Sequence, residues 1–145
     1  MLKFSRKVEY ALTAMVFMSS KKPGELTTAR ELSDKFKISL ELIGKILQKL
    51  AKKGLITSIQ GVKGGYYLQR KAESINITEI ITAIEGPVRI TKCLMHVDGA
   101  DCERREICPI RNAMMSIQIQ LINLFDTFTL KDFQAKYSPE FNNKC

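Results

Sequence analysis

The stretch TARELSDKFKISLELIGKILQKLAKKGLITSIQGVKGGYYLQ, residues 28–69, decides the fold. From Thr28 a capping-box pattern, Thr-x-x-Glu, precedes inward-facing apolar residues and predicts a short helix that ends near Phe36. After a tight connection, Ser39 can cap a longer helix that ends at Gly54. Apolar spacing predicts that this helix buries Leu42, Ile46, Leu47 and Leu50. Two short helices joined in this way, the second with a basic outer face, indicate a helix-turn-helix.

A β-hairpin with a glycine-rich tip is predicted directly after these helices. Its strands are residues 55–59 and 66–69, and the tip QGVKGG, residues 60–65, carries one lysine. A helix-turn-helix followed by a hairpin is a winged helix. We therefore predict a mainly α fold with a small β-hairpin, in which a winged helix-turn-helix is joined to a long C-terminal dimerisation helix.

Capping residues and apolar periodicity predict the other helices. A first helix from Lys3 to Met18 begins with a cluster of cations, which is unfavourable unless an anion such as a phosphate lies nearby. A fourth helix is capped at Asn76 and ends at Gly86. A long helix starts at Pro109, and a short one, TLKDFQ, follows it.

The long helix has an apolar seam with the heptad spacing of helices that pack against a partner helix. The seam residues, separated by 4, 3, 4, 3 and 4 positions, are Ile110, Met114, Ile117, Leu121, Leu124 and Phe128. Part of this surface must also cover the chain's own core. The seam nevertheless favours a homodimer.

Charge is divided unevenly along the chain. Residues 1–72 hold 15 Lys and Arg against 5 Asp and Glu, a net +10, whereas residues 73–145 hold 8 against 10, a net −2, which agrees with the total of +8. A basic N-terminal half indicates a polyanion-binding module, with a lysine-rich solvated surface as the alternative. We divide the chain into a DNA-binding region (1–72), a region with the fourth helix, a cysteine loop and the dimerisation helix (73–137), and a disordered tail (138–145).

Composition narrows the class of protein. No apolar run approaches the roughly 18 residues that a membrane span requires, and no signal-peptide cleavage site is present, so we expect a cytoplasmic protein. The chain has 1 histidine and no catalytic constellation. We therefore do not expect an enzyme.

The candidate base-reading residues lie at the start of the third helix, the end of a recognition helix that is nearest the bases. They are Ser39, Glu41 and Lys45; Glu41 could accept from a cytosine amino group, and Lys45 could donate to guanine. Leu40 and Leu42 are set aside because apolar side chains cannot pair with polar base edges. The alternative for each candidate is a solvated surface residue.

The wing tip supplies further candidates. Lys63 could lie against phosphate or in a minor groove, while Gly64 and Gly65 would let backbone N–H groups approach DNA closely. The remaining predicted DNA contacts are Lys3, Arg6, Thr28, Lys49, Gln60 and Tyr66.

Three cysteines occur in the segment CLMHVDGADCERREIC, residues 93–108, with the spacing C-x8-C-x5-C. Thiolates are soft ligands that select iron–sulfur clusters, zinc or copper(I). Structural zinc sites usually pair cysteines two to four residues apart, so this wider spacing favours an iron–sulfur cluster. Redox-active thiols, a zinc site and no ligand role are the alternatives. Three thiolates leave one ligand missing, which could be His96 or an acidic side chain from elsewhere, and Cys145 is considered incidental.

The chain resembles the iron–sulfur-dependent winged-helix repressors typified by IscR and NsrR. The resemblance covers nearly the whole chain and rests on the motifs KVEYALTAM, ISLELIGKILQKL, GVKGGYYL, IEGPV and CPIR. It implies a homodimer with recognition helices in successive major grooves and wings in the minor groove. It also implies a cluster in each subunit, bound by Cys93, Cys102 and Cys108.

The resemblance also bears on the fourth ligand. The histidine of the IscR type falls here on Arg111, whereas the carboxylate of the NsrR type, supplied by the other subunit, falls on Glu9. The first cysteine gap is longer than usual in these regulators, so the spacing does not decide between a 2Fe–2S and a 4Fe–4S cluster. In the IscR type, a glutamate on the third helix tunes which DNA sequence is bound. The corresponding residue here is Gly44, so the operator sequence of those regulators cannot be assigned to this chain.

A repressor of this kind would change its DNA affinity as its cluster senses redox state, nitric oxide or iron–sulfur status. The alternative is a cluster-free winged-helix regulator that senses redox through thiols or responds to a partner protein.

Overall fold

The computed structural model describes residues 3–91, 104 and 106–136, and within them the elements follow the predicted order. They are α1 (Arg6–Ser19), α2 (Ala29–Phe36), α3 (Leu40–Lys52), β1 (Ile56–Ile59), β2 (Gly65–Leu68), a short 3-10 turn (Ala72–Ser74), α4 (Ile77–Glu85), α5 (Arg111–Asp126) and α6 (Leu130–Lys136). The predicted mainly α fold with one hairpin is confirmed. Most of the cysteine segment and the predicted disordered tail lie outside the described residues.

Side-chain caps define where three of the predicted helices begin. Thr28, Ser39 and Asn76 each accept a hydrogen bond from the amide three residues later, at 3.0, 3.2 and 2.9 Å. The predicted starts of α2, α3 and α4 are therefore confirmed. The capping box predicted at α2 is incomplete, because the Glu31 carboxylate binds the Lys21 ammonium at 2.7 Å instead of accepting a hydrogen bond from the main-chain amide of the capping residue.

Two helix starts differ from the prediction. Helix α1 begins at Arg6 instead of Lys3, because Ser5 adopts an extended conformation and caps the first turn through its side chain. Helix α5 begins at Arg111 instead of Pro109, with Ile110 as the preceding residue and no side-chain cap. Both shifts are small; the Ser5 cap accounts for the first, whereas no side-chain cap defines the start of α5.

The core is built around α1, which packs against α3, α4 and α6. Most side chains from Val8 to Met18 are buried, the pattern of an interior helix. Helix α3 buries positions 43, 46, 47 and 50, so Ile43 takes the place predicted for Leu42, which is half-buried. The other buried apolar residues include Leu32, Leu55, Ile56, Ile75, Ile77, Ile80, Ile84 and Leu130.

The wing is held to the start of α2. Strands β1 and β2 pair antiparallel, with Ile56 opposite Leu68 and Ile59 opposite Gly65. The main chains of Thr27 and Tyr66 then exchange two hydrogen bonds of 2.9 and 2.8 Å. Because Thr27 directly precedes the cap of α2, this bridge fixes the position of the wing relative to the helix-turn-helix.

The C-terminal end returns to the N-terminal half. The Leu130 amide donates to the Ile75 carbonyl at 2.9 Å, and the Gln134 side chain donates to the Ser19 carbonyl at 2.8 Å. Helix α6 therefore closes over the end of α1. Within the described ranges, no helix combines the length and the apolar character that crossing a membrane requires.

Helix α5 has no buried residue. It packs on the rest of the chain mainly through half-buried residues such as Leu121 and Phe125, and the Phe125 ring centroid lies 5.6 Å from that of Phe4. The large apolar side chains that stay exposed on and around it are Ile110, Met115, Ile117, Ile119, Leu124 and Phe128. An apolar surface of this kind is typical of a protein interaction site.

Candidate nucleic-acid interface and cysteine segment

The turn between α2 and α3 is built by local interactions. Lys37 adopts the left-handed conformation (φ 55°, ψ 39°) that ends α2, and the Ser33 hydroxyl donates to the Ile38 carbonyl at 2.7 Å. Ile38 is buried beneath the turn. These contacts hold the first turn of α3 at the surface, as a recognition helix requires.

The outer face of α3 carries the predicted base-reading residues in exposed positions. Ser39, Glu41 and Lys45 are all exposed, and the Lys45 ammonium lies 2.5 Å from the Glu41 carboxylate. The hydrogen bond and the charge of Lys45 lower the pKa of Glu41 below its ordinary value of 4.5. The two groups therefore bind each other in the free chain, and bases that bind either group must compete with this pair.

The hydroxyl groups at the two caps are also partly engaged. Each of Thr28 and Ser39 uses one oxygen lone pair to accept from its own helix. The hydroxyl hydrogen and the second lone pair remain for DNA.

Leu40 and Leu42, both set aside as base-reading candidates because they are apolar, differ in the structure. Leu40 is 44% exposed in the first turn of α3, whereas Leu42 is partly buried against the core. The apolar spacing of α3 already separates them, since the predicted buried stripe includes Leu42 and leaves out Leu40. Leu40 is a surface residue at the helix end that is nearest the bases, and its absence from the predicted buried stripe is the sequence signal that could have identified it.

Lys49 has a partner within the protein. Its ammonium donates a 2.9 Å hydrogen bond to the main-chain carbonyl of Ile84, in the last turn of α4. A cation is stabilised at this position because the C-terminal end of a helix is electronegative. Lys49 is a predicted DNA contact, and the structure adds a second role, a link between the recognition helix and α4.

The wing tip is accessible, as its predicted role requires. Gln60 and Lys63 are exposed, and Val62 is wholly exposed. Gly64 is explained within the fold, since a Cβ there would lie 2.2 Å from the Ile59 carbonyl oxygen and its amide already donates to Gly61.

Gly65 and Tyr66 form the base of the wing. A Cβ on Gly65 would lie 3.0 Å from the Thr27 carbonyl oxygen, so a small residue allows the wing to approach α2 closely. Tyr66 is half-buried, and its main chain forms the bridge to Thr27. Direct contact of either residue with DNA stays a prediction.

The two N-terminal cations are exposed. Arg6 lies in the first turn of α1, and Lys3 precedes the helix. Lys3 also lines a cleft of about 560 Å³ whose walls include Phe4, Glu85 and Phe125. The predicted contacts of Lys3 and Arg6 with the DNA backbone stay predictions.

The predicted cluster ligands are described only in part. Cys93 and Cys102, like His96, lie outside the described residues. Cys108 is a half-buried free thiol just before α5, and Glu9 is exposed in the first turn of α1. Within the described part of the chain, no group of three or more His, Cys, Asp or Glu could hold a metal ion.

Comparisons with known proteins place these features in context. The model of the Rrf2 family, described as iron-dependent transcriptional regulators, matches residues 4–136. The chain is similar to the HTH-type transcriptional regulator NsrR of Bacillus subtilis, with 24% identity over 131 residues, covering 90% of this chain and 89% of NsrR.

Solved structures share the fold. CymR, the global cysteine regulator of B. subtilis, superposes with a TM-score of 0.74 at 25% identity, covering 95% of this chain and 100% of CymR. IscR of T. potens superposes with a TM-score of 0.73 at 19% identity, covering 99% and 93%. The predicted winged-helix fold and the resemblance to regulators, rather than to enzymes, are both confirmed.

Proposed function

We propose that this chain, which belongs to the Rrf2 family of transcriptional regulators, is a homodimeric repressor whose operator affinity is controlled by an iron–sulfur cluster. The cluster would sense redox state, nitric oxide or iron–sulfur status. Family membership supports DNA as a partner. The dimer, the cluster and the individual site residues are the proposed parts.

The observation that carries the DNA-binding role is the joint presentation of recognition helix and wing. The first turns of α3 expose Ser39, Glu41 and Lys45, and the wing tip exposes Gln60 and Lys63. The Thr27 bridge holds the two elements in a fixed relation. A rigid pair of this kind can place a helix in a major groove while a flanking cation reaches the backbone.

The exposed seam of α5 supports the dimer. Ile117 and Leu124 are 51% and 53% exposed in the single chain, and they are one heptad apart. Full burial of an exposed side chain of this size is worth about 1.5–3 kcal/mol, and about half of that remains to be gained at each of these half-exposed positions. Summed over the seam residues of both copies, the dimer would gain several kcal/mol. Recognition helices related by a two-fold axis would then read two half-sites.

The described ligand candidates fit the proposed cluster. A carboxylate supplied to the partner subunit must be accessible in the single chain, and Glu9 is exposed, with no hydrogen bond to its carboxylate among the described residues. Cys108 offers a thiol at the start of the helix proposed to dimerise. Together with Cys93 and Cys102, these residues would hold the cluster, which when bound would supply a centre whose charge or integrity changes on oxidation or nitrosylation.

The chain offers a route by which the cysteine segment could influence DNA binding. The segment connects α4 to α5, and the last turn of α4 accepts a hydrogen bond from Lys49 of the recognition helix. Two arrangements of the segment with different stabilities would therefore favour two positions of α3. Regulation requires that DNA bind these arrangements with different affinity.

A second candidate is favoured by the similarity to CymR, whose name refers to cysteine regulation. In this alternative the chain is a cluster-free regulator that senses redox through its thiols or responds to a partner protein. Cys108, a free thiol, would then be a candidate sensor.

An anaerobic purification separates the two candidates. We expect an iron–sulfur absorption spectrum with matching iron and sulfide contents, loss of colour in Cys108→Ser, and no change in the matched control Cys145→Ser. Operator affinity should change at least about tenfold on cluster removal, within the usual range of coupling between two sites. A colourless wild-type chain whose DNA affinity responds to peroxide would instead support the thiol sensor.

A further inference from the structure

We infer that Leu40 is a specificity-determining residue that recognises the 5-methyl group of thymine in the major groove of the operator. The inference rests on the proposed DNA-binding function and goes beyond it, because it specifies a base and the chemical group that is read.

Leu40 is unusual among the apolar residues of the helix-turn-helix. In α2 and α3, both described in full, it is the large apolar side chain that is exposed, at 44%. Ile43 is fully buried and Leu42 is partly buried in the same helix. The core therefore does not account for an apolar side chain at position 40.

The polar neighbours of Leu40 are engaged within the protein, Ser39 in part and Glu41 through its carboxylate. Ser39 accepts from the Leu42 amide at 3.2 Å, and Glu41 is paired with Lys45. Leu40 lies between these residues, in the first turn of a recognition helix, where side chains are nearest to base edges. A base contact by Leu40 therefore competes with no polar interaction of its own, whereas Glu41 must first leave Lys45 and Ser39 offers only the hydroxyl hydrogen and lone pair that its cap leaves over.

The chemistry of the major groove identifies the base. Thymine presents a 5-methyl group there, whereas the other edges present hydrogen-bond donors and acceptors, so an apolar side chain discriminates for thymine. Burial of one methyl group is worth about fourfold in affinity. In a dimer with one such contact in each half-site, the two contacts together would amount to about 15-fold.

The test begins with the full-length chain and a pool of random-sequence DNA duplexes, from which an operator is selected. Each thymine is then replaced by deoxyuridine, which removes only the methyl group, and the Kd is measured at fixed salt. We expect that replacing one thymine per half-site, at positions related by symmetry, weakens wild-type binding about 15-fold when both are changed. Leu40→Ala should bind the thymine and uracil operators equally, whereas Leu40→Met should keep most of the discrimination.

The matched control is Phe133→Ala, which truncates a partly exposed apolar residue on a different helix, α6. This variant should discriminate between the thymine and uracil operators as the wild type does. Thermal melts should show Leu40→Ala folded, since the side chain is outside the core. The inference, but not the proposed function, would be overturned if Leu40→Ala lost as much affinity as the wild type when thymine is replaced by deoxyuridine. It would also be overturned if no thymine methyl group in the operator contributed to wild-type affinity. Failure of the wild type to enrich any sequence would overturn the proposed function and the inference with it.

Discussion

The ammonium of Lys49, in the recognition helix, donates a 2.9 Å hydrogen bond to the main-chain carbonyl of Ile84, in the last turn of α4. The two residues are 35 positions apart in sequence. Ile84 lies shortly before the cysteine segment, so this bond joins the element that would read DNA to the element that would respond to the cluster.

Lys49→Met should reduce the coupling between the cysteine segment and DNA. The variant removes a charge-assisted hydrogen bond, worth about 1–2 kcal/mol at a partly buried site. We expect the ratio of operator affinities between holo and apo protein to move toward one, measured by fluorescence anisotropy under anaerobic conditions. Lys52→Met, an exposed lysine on the same helix, is the control. If Lys49 acts only as a phosphate contact, both states will weaken equally and the ratio will not change.

The pKa of Glu41 should rise when its partner is removed. A hydrogen bond and a charge from Lys45 hold this pKa below 4.5, because both favour the ionised carboxylate. Lys45→Met should therefore return the value toward 4.5, as followed by NMR titration of the Glu41 carboxyl group. In the wild type, the pair should persist above the lowered pKa and be lost as the pH falls through it. An unchanged titration curve in Lys45→Met would show that the pair does not persist in solution.

Substitution by valine should change the free energy of unfolding in opposite directions at two neighbouring threonines. Thr27 is fully buried and its hydroxyl has no hydrogen-bond partner among the residues that the structure describes, so Thr27→Val should raise the free energy of unfolding by about 1 kcal/mol. Thr28 caps α2, so Thr28→Val should lower it by about 1 kcal/mol. Urea unfolding of both variants measures the difference. Destabilisation by both substitutions would mean that the Thr27 hydroxyl has a hydrogen-bond partner in solution.

Substitution by alanine should also have opposite effects on stability at two glycines. At Gly44 a Cβ meets nothing within 4 Å inside a helix, so Gly44→Ala should stabilise the chain by about 0.5–1 kcal/mol. At Gly64 a Cβ would lie 2.2 Å from a carbonyl oxygen, so Gly64→Ala should distort the wing and weaken both stability and DNA binding. Thermal melts and DNA titrations test this pair. Equal melting temperatures would contradict the wing geometry.

The dimer should depend on the seam of α5. Leu124→Glu places a charge on the exposed apolar line, and burial of an unpaired charge is strongly unfavourable, so we expect monomers at micromolar concentration in analytical ultracentrifugation. Asn123→Glu, on the same exposed helix but outside the seam, should remain dimeric. A Leu124→Glu chain that stays dimeric would place the interface elsewhere.

Short-range signals account for most of what sequence reasoning predicted correctly. The caps Thr28, Ser39 and Asn76, together with the apolar spacing of α4, depend on contacts within three or four residues. Predictions that needed long-range packing were less accurate. Three of the four predicted buried positions of α3 are confirmed, and only the first moves, from Leu42 to Ile43, because the side of a helix that faces the core depends on the elements that cover it.

The sequence by itself therefore determined the winged-helix class, the helix starts that have side-chain caps and the residue types available for DNA and metal binding. The tertiary structure decided which of these groups are free to act. It exposed Leu40 and partly buried Leu42, paired Glu41 with Lys45, and gave Lys49 a partner on α4. The physical reason is that caps and periodicity are properties of neighbouring residues, whereas exposure and long-range hydrogen bonds exist only once distant elements have packed together.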